Sequence, residues 1–217
     1  MLAVPHLVSP THAASGIDGL WDATVVANGV EIPFRFEIAT RGAEAQGFFF
    51  EGDRKVGSTS GRFAGGKLTL EYDFLNTTFE ATLDGDQLHG TYKNNRPNAR
   101  PQEIRAHRFA PVPLGADDPP SIAGNWEMRR NAEEANAPRD TRTWHLFLRQ
   151  SGAEVSGAIL RIDGDTGTLV GHWQKNKLAL SHFAGERPIL LEATANQDGT
   201  LAVTLNSTDH YRAARRT

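Results

Sequence analysis

The feature that most constrains this chain is that it is written twice. The turn Gly42-Ala43-Glu44-Ala45-Gln46-Gly47 recurs as Gly152-Ala153-Glu154-Val155-Ser156-Gly157. At that same offset Phe34 meets Trp144, Phe36 meets Leu146, and Gly57 meets Gly167. Gly61-Arg62-Phe63 likewise meets Gly171-His172-Trp173, and Lys67-Leu68-Thr69-Leu70 meets Lys177-Leu178-Ala179-Leu180. Outside this core run, Ile17-Asp18-Gly19-Leu20-Trp21 faces Ile122-Ala123-Gly124-Asn125-Trp126. Glu80-Ala81-Thr82 matches Glu192-Ala193-Thr194, and Arg105-Ala106-His107-Arg108 matches Arg212-Ala213-Ala214-Arg215. The small changes of offset fall at turns, where inserted residues cost little. Chance does not hold glycines and aromatics in step over so long a run, so a domain-sized unit has been duplicated.

The repeat sets the domain limits. Residues 16–109 form the first copy and 121–217 the second. Between them, residues 110–120 carry Pro111, Pro113, Pro119 and Pro120, which exclude helix and strand interiors and predict a stiff extended linker. Residues 1–15, "MLAVPHLVSPTHAAS", combine a short apolar piece with small residues but lack a basic start. They read either as the remnant of a signal peptide or as a disordered tail, and in both cases stand outside the fold.

Within each copy the hydrophobic period is two. Ile32, Phe34, Phe36 and Ile38 alternate with Pro33, Arg35 and Glu37, which places the apolar set on one face of a strand. The same alternation runs through Leu68, Leu70 and Tyr72, through Phe79, Ala81 and Leu83, and through Trp144, Leu146 and Leu148. Turn signals such as Asn28-Gly29, Gly65-Gly66, Asp84-Gly85, Asp163-Gly164 and Asp198-Gly199 separate the runs. The one helix-like stretch, Asn131 to Asn136, is short and polar and reads as a loop. An all-β fold follows, with about eight strands per copy joined by hairpins; closing each meander into an up-and-down barrel removes its exposed edges. The expected architecture is two small antiparallel barrels in tandem. The G-x-W motif at Gly19-Leu20-Trp21 and Gly124-Asn125-Trp126 is similar to that of lipocalin and avidin barrels, a likeness implying that the tryptophan plugs one end.

Composition excludes several functions. A formal charge of -3 offers no basic field for a phosphate backbone, so nucleic acid is not an expected partner. No stretch is long and apolar enough for a spanning helix. With no cysteine in the chain, a disulfide framework, a thiolate nucleophile and a cysteine-based metal site are all excluded. The eight histidines show no ligand spacing; in a hairpin turning near Lys175-Asn176, His172 lies opposite Ala179 and His182 opposite Leu169. The aspartate pairs sit at glycine turns, where they cap the backbone. No nucleophile elbow or phosphate-cradling loop is present, so no catalytic, cofactor or metal residues are assigned. The candidate ligand-binding residues are Ser58, Ser60, Tyr72, Asp73, Trp144, His172 and His182: polar groups at strand ends, with ring-bearing side chains near them, that can converge at a barrel mouth.

The stretches "GLWDATVVANGVEIPFRFEI", "STSGRFAGGKLTLEYDF", "LRQSGAEVSGAILRIDGDTGTLVGHW" and "LALSHFAGERPILLEAT" resemble the β-rich region that precedes the thioredoxin domain in bacterial TlpA-like thiol-disulfide oxidoreductases. The resemblance implies a periplasmic or secreted location and an accessory role beside a thioredoxin-like domain. It transfers no redox residue, because the family's Cys-x-x-Cys pair has no counterpart here. Three functional readings stay open at this stage. One is a non-catalytic module that binds a protein partner or small ligand, another a small-ligand carrier or barrel enzyme with an open interior, and the third a structural spacer.

Overall fold

The predicted alternation appears directly as strands whose odd and even residues face opposite ways. The structure, a computed structural model, describes residues 16–111, 119–131 and 143–216. Residues 1–15, most of the proline-rich linker, and the Asn131–Asn136 loop apart from Asn131 lie outside the described residues. The first copy contains β1 (Gly19–Ala27), β2 (Val30–Arg41), β3 (Glu44–Glu51), β4 (Arg54–Gly57), β5 (Ser60–Ala64), β6 (Lys67–Tyr72), a 3-10 turn at Asp73–Leu75, β7 (Thr77–Asp84), β8 (Gln87–Asn94) and β9 (Gln102–Arg108). The second contains β10 (Gly124–Arg130), β11 (Trp144–Ser151), β12 (Glu154–Arg161), β13 (Gly164–Asp165), β14 (Leu169–Gln174), β15 (Lys177–His182), β16 (Ile189–Ala195), β17 (Leu201–Leu205) and β18 (Asp209–Arg215).

Each copy closes on itself. The first strand pairs with the last, β1 with β9 and β10 with β18, and the other neighbours in the ring are hairpin partners except β3–β5 and β12–β14, where the short β4 and β13 intervene. The two sheets have the same strand order, β2-β1-β9-β8-β7-β6-β5-β3-β4 and β11-β10-β18-β17-β16-β15-β14-β12-β13. Strands β4 and β5 both run along β3, interrupted at Ser58-Thr59, so each ring has eight positions. The duplication extends to individual pairings: Phe36 opposes Phe49 in one barrel and Leu146 opposes Ile159 in the other, and the Glu44↔Arg62 pair corresponds to Glu154↔His172. His172 lies opposite Ala179, as the turn at Lys175-Asn176 requires.

One end of each barrel is sealed by the same device. Trp21 is fully buried and its Nε1 donates to the Ile17 carbonyl at 3.0 Å; Trp126 does the same to Ile122 at 2.9 Å. An arginine from the last strand covers each indole, Arg108 at 4.0 Å from the ring centroid of Trp21 and Arg215 at 4.6 Å from that of Trp126. The same guanidinium groups donate onward to the carbonyls of Gly16 and Asp18, and of Ser121 and Ala123, tying the chain leading into β1 or β10 to the strand that closes the ring. The glycine of G-x-W is needed here: Gly19 and Gly124 have φ of +116° and +134°, and a β-carbon on Gly124 would sit 2.9 Å from Arg215 Nη1. Cation–ring contact of this kind adds to the burial of a large aromatic surface.

The two interiors differ in content. Barrel 2 is filled by Trp126, Met128, Trp173, Tyr211 and a set of leucines, isoleucines and valines from its own strands. Barrel 1 is packed with aromatic rings, among them Phe34, Phe36, Phe49, Tyr72, Phe79 and Tyr92, and its core also includes Phe183 and Leu190 from the second copy.

Candidate functional site

The end of each barrel opposite its tryptophan cap forms a mouth, and the two mouths have diverged. In barrel 1 the polar residues there hold the wall together. The break between β4 and β5 turns Ser58 inward, where its N–H donates to the Gly47 carbonyl at 2.8 Å and its Oγ accepts from Gly47 N at 3.1 Å. Tyr72, the last residue of β6, donates its hydroxyl to the same carbonyl at 3.1 Å. Thr77 and Tyr92 share a hydrogen bond of 2.6 Å, and Thr59 Oγ1 accepts from the Asp73 backbone at 3.0 Å. Burial pushes the Tyr72 hydroxyl well above its ordinary range, with a further contribution from Tyr92. Tyr92 is pushed up to about 12, again chiefly by burial.

Into this mouth reaches the loop that joins β15 to β16. Phe183 is 3% exposed, with its ring centroid 4.8 Å from Phe34, 5.3 Å from Phe49 and 5.6 Å from Tyr92, each contact edge-to-face. Behind it, Gly185 has φ of +96°, and a β-carbon there would lie 2.4 Å from Leu75 Cδ1 and 2.8 Å from the Tyr92 hydroxyl, so a larger residue is strained and must displace these side chains. The surrounding contacts are polar. Ser181 Oγ donates to the Pro33 carbonyl, and His182 Nε2 lies 3.5 Å from Glu51 Oε2. His182 Nδ1 donates to the Thr168 carbonyl at 3.3 Å, while Thr168 N donates to Glu51 Oε1 at 2.8 Å. A loop of one barrel therefore completes the core of the other.

At the corresponding mouth of barrel 2, no such insertion is found among the described residues. Trp144, at the position equivalent to Phe34, is only half-buried and stacks on Tyr211 with centroids 5.2 Å apart. Arg161 stands where barrel 1 has Glu51; its guanidinium lies 5.6 Å from the Trp144 ring centroid and 3.5 Å from an Asp163 oxygen. Thr143, Trp144, His145, Leu160, Arg161 and Ile162 line an open groove of about 310 Å³. Ile162 is 77% exposed and Leu160 45%, which gives the groove an apolar edge. A larger open depression, about 640 Å³, lies at the capped end of barrel 1 among Arg41, Ala43, Glu44, Gly61 and Arg62 and contains none of the sequence-predicted residues.

The seven residues expected to meet a ligand occupy separate places. Ser58 and Tyr72 come together through Gly47, inside the wall of barrel 1, with exposed Asp73 beside them on the 3-10 turn. Ser60 is exposed on β5 opposite Glu71. Trp144 lines the barrel 2 groove, His172 is half-buried on β14, and His182 lies in the contact between the barrels. Sequence reasoning missed Phe183, Glu51, Arg161 and Ile162. The available signal was the loop after His182: seven positions separate His182 from Ile189, whereas five separate Tyr72 from Thr77, and the longer loop opens on Phe183 where barrel 1 has Asp73.

Two outcomes follow. Replacing Phe183 with alanine removes a ring from a closed aromatic core, and urea unfolding should show a loss of about 3 kcal/mol in the transition that includes barrel 1. The tyrosines supply an alkaline limit. Their folded-state pKa values lie above those of the unfolded chain, so the stability they contribute is complete below pH 10 and is lost as pH rises through the folded value, about 12 for Tyr92. Absorbance titration near 295 nm should find Tyr92 and Tyr72 ionising late and together with loss of near-ultraviolet circular dichroism.

No protein-family model and no curated protein matches the chain. Among solved structures, one similar chain is a "putative outer membrane protein" from Bacteroides fragilis, 9% identical, with a TM-score of 0.30 and coverage of 91% of this chain and 95% of that one. A likeness at that level carries no argument about function.

Proposed function

We propose that the chain is a non-catalytic, exported binding module, accessory to a thioredoxin-like redox domain, whose working surface is the rim of barrel 2. The observation that carries this reading is the contrast between the two mouths. Barrel 1 holds an aromatic side chain offered by a loop, against an acidic rim at Glu51. Among the described residues, barrel 2 presents the equivalent rim uncovered, with Trp144 and Arg161 in place of Phe34 and Glu51. The fitting occupant is thus a loop or extended segment that offers an aromatic residue to Trp144 and a carboxylate that competes with Asp163 for Arg161.

Two further considerations favour binding over chemistry. The polar groups at the barrel 1 mouth are committed to Gly47 and to each other, and its interior is taken up by rings, so a carrier with an open interior would have to use the barrel 2 rim instead. Location and redox context are supported by the resemblance of the quoted stretches to TlpA-like proteins.

The test is a titration of the full chain with short amidated peptides, followed by NMR of the Trp144 indole N–H, assigned with Trp144→Phe. An Asp-Phe peptide should shift that resonance saturably in the millimolar range, Lys-Phe more weakly, and Asp-Ser not at all. A Trp144 signal indifferent to all three would contradict the assignment of the rim.

A further inference from the structure

We propose that the mouth of barrel 1 is a binding site for a small molecule bearing a phenyl ring, and that Phe183 is a displaceable plug occupying it. The site lies in the other barrel from the rim described above and does not depend on that reading. What fills this mouth is not part of barrel 1. The equivalent connection of barrel 1 itself, Asp73–Leu75 between β6 and β7, is a compact 3-10 turn closed by a bond from Asn76 N to the Asp73 carbonyl. Its phenylalanine, Phe74, is 62% exposed and stays out of the core. The ring at the mouth therefore arrives from outside, and Phe34, Phe49 and Tyr92 stand edge-to-face around it.

The loop that carries the plug is weakly fastened. Among the described residues, no hydrogen bond involves residues 184–188. Two of its backbone positions are strained: Gly185 is pressed against Leu75 and the Tyr92 hydroxyl, and Arg187 has φ of +50°, rare for a residue with a side chain and disfavoured before Pro188. Seating of the Phe183 ring is what holds this conformation, so a competitor that takes the place of the ring relaxes the loop without breaking a hydrogen-bonded element. Ser181 and His182 belong to β15, which stays paired with β16, and they keep their contacts with Pro33 and Glu51 while the loop moves.

The lining selects the ligand. Three ring edges and faces around a phenyl-sized space favour an aromatic ring over a saturated one of similar bulk. Beside that space, Tyr92 and Thr77 share one hydrogen bond, and a hydroxyl can take part in more than one, so the Tyr92 oxygen keeps a place for a hydroxyl on the ligand. It lies 2.8 Å from where a β-carbon on Gly185 would stand, in the path the loop vacates. A phenyl ring on a short alcohol tail meets both requirements.

Cleavage of the full chain by endoproteinase Glu-C after the exposed Glu186, followed by mass spectrometry, reads the position of the loop. Phenethyl alcohol should raise the rate at that bond saturably in the millimolar range, and cyclohexylethyl alcohol, which lacks the aromatic ring, should leave it unchanged. In ligand-observed NMR titrations, Phe183→Ala should bind phenethyl alcohol about tenfold more tightly than the wild-type chain, because no plug competes. Phe183→Leu, a smaller plug that keeps the core filled, should bind with intermediate affinity and supplies the comparison if the alanine variant does not fold. A cleavage rate that answers to both alcohols equally, or to neither, overturns the proposal. Binding confined to the variants, with the wild-type loop unmoved, makes Phe183 a fixed core residue and overturns it as well.

Discussion

The pairing of the first strand of each copy with its last is the contact on which the rest of the structure depends. Without β1 on β9 and β10 on β18, each sheet would be an open meander with two unsatisfied edges and an apolar face turned to water. The tryptophan cap strengthens that joint at its weakest point. Arg108 and Arg215 come from the closing strand, cover the indole of the opening strand, and hold the carbonyls of the chain that leads into it. One residue thus links closure of the wall to closure of one end. Both copies keep this device, with the same hydrogen bond from indole to carbonyl, although the cores behind it have diverged from aromatic to aliphatic.

Divergence at the other end made the two barrels a unit. A loop longer by two residues put Phe183 within reach of the neighbouring mouth, and Gly185 allows the loop to bend against Leu75 and Tyr92 without collision. Barrel 1 gains a ring in its core, and the histidine next to that ring meets Glu51. Barrel 2 keeps the same mouth with a larger ring at its edge and an arginine where the acid stood. Duplication followed by loss of symmetry is an economical route from a closed, self-sufficient barrel to a scaffold with a directional surface.

The architecture was legible in the sequence because it rests on patterns the chain must repeat. Ile32, Phe34, Phe36 and Ile38 had to alternate to face one core, and the matched glycines and hairpin turns had to recur for both rings to close. The register at Lys175-Asn176 could be read to the residue, since a two-residue turn fixes its partners. The site was far less legible. Tyr72 and Ser58 look like ligand-facing polar groups until Gly47 is seen to take both. Phe183 sits in a loop, outside any period, and its significance comes from a surface on the other copy that no local pattern encodes. Trp144 could be picked out as a ring near a barrel mouth, but no local pattern shows that Arg161 and Ile162 stand beside it.

The central claim is that the second copy supplies part of the first copy's core, so the two barrels are held by that contact and not only by the linker. Its most direct test is to place a protease site in the linker between residues 111 and 119, cut the folded protein, and pass it over a size-exclusion column. The account predicts that the severed halves elute together as one particle until denaturant is added. Halves that separate in native buffer, with the barrel 1 half still folded, would contradict it.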